Sequence, residues 1–152
     1  MQLAVRPRTS LPEATLWVRT STVEVAAIDD WIEEAGRTSD ADKRAIFAAR
    51  LCVAELAANV LEHGGVGPDG RISVTLSFDG DGIAVAFADT GAPFDPTAPV
   101  RKPGNLNEST TAPLSAFGGR GLALIRSFAS DLVYRRDGNL NRMTFRIRNR
   151  SL

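Results

Sequence analysis

Glu55 and Asn59 lie four positions apart in an apolar-periodic stretch, so a helix there would project both side chains from one face. A carboxylate at that place can accept a proton from an attacking hydroxyl. An amide oxygen one turn away can ligate Mg²⁺ while phosphates and waters complete the octahedron. The simpler reading of the same pair is a solvated helix face, against which the low helix propensity of Asn counts a little. Asp89-Thr90-Gly91 ends an apolar strand and runs into Ala92-Pro93-Phe94-Asp95. An ionised Asp89 can accept a hydrogen bond from an adenine amino group, and Gly91 would let backbone approach a flat ligand. An ordinary strand-ending turn uses the same residue types. Gly118-Gly119-Arg120-Gly121-Leu122 precedes a helix, where free N–H groups and the positive end of the dipole favour phosphate. A glycine-assisted helix start without a ligand fits as well. The chain has no G-x-x-x-x-G-K-[ST] run, and these glycines lack the strand context and third glycine of a dinucleotide fingerprint.

The remaining reactive residues read as structural. His63, the only histidine, stands before Gly64 at a helix end, where capping or packing suits it better than phosphoacceptor chemistry. Cys52, the only cysteine, sits among apolar helix residues as a buried, inert thiol, which excludes an internal disulfide. Trp17, Trp31 and Phe47 read as core or partner-facing residues, with core favoured. Arg142, Arg146, Arg148 and Arg150 alternate as the polar face of a strand.

The elements that must position these residues follow from periodicity and turn chemistry. A strand is expected over 15–20, then a helix opened by a Ser21/Glu24 capping box and ending at Gly36. The longest helix is expected over 40–63, stopped by Gly64-Gly65. Strands over 71–78 and 83–88 form a hairpin through Asp79-Gly80-Asp81-Gly82. A long Pro, Thr, Asn, Ser and Gly loop fills 93–117, and loops of that length in compact domains are functional or disordered. A short helix over 122–128 and strands over 132–136 and 142–148 complete the chain. Strands clustered in pairs imply an α+β two-layer sandwich: a mixed, mainly antiparallel sheet with helices on one face. The chain divides into a short leader, 1–13, and one domain, 14–152.

With 152 residues, 43% of them hydrophobic, the chain can bury a core without staples. Eighteen basic residues balance 18 acidic ones, so no overall field draws it to nucleic acid or an anionic membrane, and any polyanion site must be local. The N-terminal stretch lacks the apolar block of a signal peptide, and no apolar run is long enough to span a bilayer. A soluble, cytoplasmic protein is the expectation.

Taken in order, Glu55-Leu-Ala-Ala-Asn59-Val-Leu-Glu-His63-Gly64, Asp89-Thr-Gly91-Ala-Pro93-Phe94-Asp95-Pro96 and Gly119-Arg-Gly121-Leu-Ala-Leu-Ile125-Arg126 resemble the N, G1 and G2 boxes of the GHKL superfamily of histidine-kinase-like ATPases. The resemblance is sharper to the anti-sigma-factor serine/threonine kinase branch, where Pro93 in place of the second glycine of D-x-G-x-G also fits. It implies the GHKL ATP-binding fold, with ATP and Mg²⁺ as cofactors. By resemblance Glu55 is the general base, Asn59 the Mg²⁺ ligand and Asp89 the partner of the adenine amino group. Gly91 would lie beneath adenine, Gly119 and Gly121 against the phosphates with Arg120 and Leu122 beside them, and 96–118 would be the ATP lid. Arg101 and Lys102 read as solvated lid charges, with Arg120 the better placed cation. The implied partners are a sigma factor and a STAS-type anti-sigma-factor antagonist, the latter phosphorylated on Ser or Thr, and the implied assembly is a homodimer. A regulator that binds ATP without transferring phosphate is the alternative. A fragment of a two-component histidine kinase would need a phosphoacceptor histidine before Asn59, and none is present.

Overall fold

The computed structural model describes residues 12–95, 97 and 119–149; for 119–121 only the backbone is described. Among the described residues eight main elements follow one another: β1 (Glu13–Arg19), α1 (Thr22–Thr38), α2 (Lys43–His63), β2 (Arg71–Asp79), β3 (Gly82–Asp89), α3 (Gly119–Phe128), β4 (Ala129–Asp137) and β5 (Leu140–Arg148).

Capping sets where the helices begin. Ser21 Oγ accepts from Glu24 N at 3.3 Å, one half of the expected capping box, while the Glu24 carboxylate reaches back to Arg19 N at 2.6 Å. The long helix starts at Lys43, three residues later than its expected start. Asp40 has a left-handed φ of 53°, which breaks the chain direction, and Asp42 Oδ1 then accepts from Arg44 N and Ala45 N at 2.8 and 3.1 Å. The helix ends at His63, and Gly64 N donates to Val60 O at 2.9 Å.

The five strands form one sheet in the order β1-β2-β3-β5-β4, antiparallel at all four pairings. The expectation was a mixed, mainly antiparallel sheet, and every hydrogen-bonded pair is antiparallel. The parallel relation does exist, between β3 and β4, but β5 is inserted between them, so no parallel hydrogen-bonded pair results. In the β2–β3 hairpin, Asp79 Oδ1 accepts from Asp81 N and Gly82 N at 2.8 and 3.0 Å, so a side chain as well as glycine shapes the turn.

Alternation divides the sheet into two faces. Ile72, Val74, Leu76 and Phe78 of β2, with Val85, Phe87, Met143 and Phe145 of the neighbouring strands, merge with Ile32, Cys52, Val53, Leu56 and Ile125 of the helices into one core. The other face carries Thr15, Thr75, Ala86, Thr144 and the arginines of β5, and Arg146 pairs with Asp79 across it. Trp17 and Phe47 are not core residues: they are 59% and 56% exposed. Trp17 is one pleat out of phase with buried Val18, and Phe47 stands off the buried Ile46/Ala49 stripe of α2. Trp31 does pack against the core.

Candidate functional site

The C-terminal half of α2 and the end of β3 lie side by side, with a cleft between them and β5. Its walls include Leu56, Asn59, Val60, Phe87, Asp89 and Met143. An apolar lining with a few convergent polar groups is the ordinary composition of a small-molecule site. Two of those polar groups, Asn59 and Asp89, come from separate motifs of the sequence.

Asp89 is 7% exposed at the last position of β3. Its Oδ1 accepts from Gly91 N at 2.8 Å and from Asn141 Nδ2 at 3.0 Å. Oδ2 has no such bond among the described residues and is left for a donor in the cleft. The turn beyond is stitched to α2, because Ala92 N donates to Gly64 O at 3.1 Å. Gly91 is required by this closeness. A Cβ there would stand 2.7 Å from Asp89 Oδ1 and 3.1 Å from Gly64 Cα, so the first demand for glycine comes from the protein's own packing.

Asn59 carries a buried amide nitrogen, Nδ2, without a hydrogen-bond partner among the described residues. Such an orphan costs free energy, and it lies on the wall of a cleft. A rotated amide would present the oxygen instead, the atom that ligates a hard cation. Among the described residues no group of three His, Cys, Asp or Glu gathers to hold a metal. A single amide fits Mg²⁺, which keeps several waters and is bound largely through substrate phosphates.

Glu55 is half-buried one turn before Asn59 and does not line the cleft. Gly119 and Gly121 are in the first turn of α3, which therefore opens three residues before its expected start, and α3 packs on α2. Leu122 is half-buried. The side chain of Arg120 lies outside the described residues, as does the expected lid apart from Thr97, and with it Arg101 and Lys102. His63 lines the cleft with its side chain 45% exposed, and its Nε2 is 3.5 Å from Glu62 Oε2. Cys52 is fully buried, and burial pushes its thiol up to about 11, with the Glu55 charge adding to the shift.

Three residues of this region escaped the sequence reading: Asn141, Tyr134 and Arg136. Asn141 is 6% exposed and pairs in register with Asp89. Its signal was an amide in phase with inward-facing Met143, Phe145 and Ile147, visible only once β5 is extended back to Leu140.

The chain is matched over residues 18–147 by the family model described as a histidine kinase-like ATPase domain. It belongs to that family of histidine kinase-like ATPase domains. It is 30% identical over 115 residues to the serine/threonine-protein kinase BtrW of Bordetella bronchiseptica, an alignment covering 75% of this chain and 78% of that one. In fold it is similar to the crystal structure of the RsbU and RsbW domains of Rv1364c from Mycobacterium tuberculosis, with a TM-score of 0.60 at 15% identity. That match covers 90% of this chain and 32% of the other, so this chain spans about a third of the larger protein.

Proposed function

We propose that this protein binds Mg-ATP in the α2/β3/β5 cleft and transfers the γ-phosphoryl group to a Ser or Thr hydroxyl of a STAS-type anti-sigma-factor antagonist. The same chain would sequester a sigma factor, in the cytoplasm and as a homodimer, when the antagonist is phosphorylated. The observation that carries the ATP reading is Asp89. One carboxylate oxygen is fixed by two internal donors, and the other has no hydrogen bond among the described residues, at a cleft whose apolar walls suit a base.

In this reading Asp89 Oδ2 accepts from the adenine amino group, and Gly91 keeps the turn close enough for the base to slide between β3 and α2. Asn59 would hold Mg²⁺, which when bound would supply positive charge against the phosphates. The backbone N–H groups of Gly119 and Gly121, at the start of α3, face phosphate with the positive end of the helix dipole. Arg120 adds a cation there and Leu122 seats the helix. Glu55 accepts the proton of the attacking hydroxyl, so it must be reached by the substrate from outside the nucleotide cleft. Most of the catalysis is positioning and electrostatics, since phosphoryl transfer asks little covalent chemistry of the protein.

Incubation with γ-labelled ATP and a purified candidate antagonist tests this. Label should appear on a Ser or Thr of the antagonist, and Glu55→Gln should abolish it while ATP binding persists. ATP binding with no label on any antagonist would replace transfer by regulation through binding alone. Undiminished Mg-ATP affinity in Asn59→Ala would remove the metal role.

A further inference from the structure

We propose that Asn141 is the positioning residue that makes this cleft select adenine over guanine, an inference that rests on reading the cleft as an ATP site. The two ends of its amide are engaged by groups of opposite kind. Oδ1 accepts from the Tyr134 hydroxyl at 2.6 Å, from an Arg136 guanidinium nitrogen at 3.1 Å and from Phe94 N at 3.3 Å. Nδ2 donates to Ala92 O at 2.8 Å and Asp89 Oδ1 at 3.0 Å, with Gly91 O at 3.4 Å. Three donors on one side and three acceptors on the other leave one orientation for the amide. Only a side chain with an acceptor and a two-proton donor on the same carbon satisfies both sides. The Arg136 guanidinium also donates to Gly91 O at 2.8 Å, so the turn after β3 is held from β4 as well as from β5.

This arrangement decides which way Asp89 faces. Asn141 and Gly91 N both occupy Oδ1, so the carboxylate cannot rotate without losing two hydrogen bonds inside the protein, and Oδ2, without a bond among the described residues, is left to a donor in the cleft that Asp89 lines. A fixed acceptor pairs with the amino group of adenine and repels the carbonyl oxygen that guanine presents at the same place. A buried acceptor facing an acceptor leaves both without a donor, which costs free energy only in the complex with the wrong base. Asn141 touches no base in this scheme. It acts through Asp89, Gly91 and Ala92.

The test measures Mg-ATP and Mg-GTP affinity of the whole chain by calorimetry, with thermal midpoints recorded for each variant. In Asn141→Asp, carboxylate oxygens replace the amide and face Asp89 Oδ1, Gly91 O and Ala92 O. The ATP-over-GTP preference should then fall roughly tenfold or more. Tyr134→Phe keeps the ring and removes one of the donors on Oδ1. It should lower the same ratio by a smaller factor while remaining folded, and it decides the matter if Asn141→Asp does not fold. A purely structural role would lower the thermal midpoint and both affinities together with the ratio unchanged, and that result overturns the inference. If the wild type binds ATP and Tyr134→Phe and Asn141→Asp keep its preference, the inference fails and the ATP reading stands. If the folded wild type binds neither nucleotide, both fail.

Discussion

A methyl group on Gly91 would meet both Asp89 Oδ1 and the Gly64 backbone inside van der Waals distance. Gly91→Ala is therefore expected to destabilise the fold by about 1–3 kcal/mol and, by turning Asp89 or parting the turn from α2, to weaken ATP binding. A variant with unaltered ATP affinity would show that the turn is not part of the nucleotide site. Cys52 makes an independent residue-scale prediction. Its thiol is raised to about 11 in the folded protein, so it favours folding below the ordinary thiol value and loses that contribution as pH rises through about 11. At pH 8 a disulfide-exchange reagent should leave native Cys52 unmodified and react once the chain is denatured; rapid modification of the native protein would contradict this. Asp89 was legible because it closes a patterned strand, Gly91 because it stands in the turn beyond, and Asn59 because it lies one helical turn after Glu55. Asn141 was not, since beside Asp137-Gly138-Asn139 it reads as turn, and its hydrogen-bond partners on β3 and β4 are fixed only by sheet register.

At the scale of elements, α2 carries Glu55 and Asn59, and its N-terminus is held by Asp42. Asp42→Ala should cost about 1 kcal/mol, seen as a fall of roughly 3 °C in the thermal midpoint, and Asp42→Ser should recover most of it. ATP affinity should change less than about twofold, because the cap lies at the end of α2 remote from Asn59 and His63 and stabilises the helix without touching the cleft. A large loss of affinity at unchanged stability would invert this assignment. Helical period and glycine stops made α1 and α2 readable, yet the start of α2 was misplaced. Asp40 and Asp42 are equally good caps by type, and only the left-handed backbone at Asp40 separates them. The parallel relation of β3 and β4 could not be told from adjacency, because sequence order does not show that β5 returns between them.

For the whole molecule, charge balance conceals a small set of ion pairs that ties elements together within each layer. Arg50 of α2 holds Asp29 of α1 with bonds of 2.9 and 2.6 Å, and Arg146 of β5 holds Asp79 of β2. Their guanidinium hydrogen bonds lower both carboxyl groups below the usual value. Groups depressed in the folded state stabilise it above the unfolded carboxylate range near 4, and that contribution is lost as pH falls through the folded values. The urea midpoint should therefore drop between pH 6 and pH 3, with a smaller drop in Asp79→Asn; an equal drop would rule out this pair as a contributor. Among the described residues no helix is long and apolar enough to cross a membrane. The most direct test of the central claim is calorimetric titration of the whole chain with Mg-ATP, wild type beside Asp89→Asn. Saturable binding by the wild type, weakened roughly tenfold or more in a folded Asp89→Asn, is the predicted result. A folded wild type that binds no ATP, or an Asp89→Asn that binds it equally well, would contradict the account.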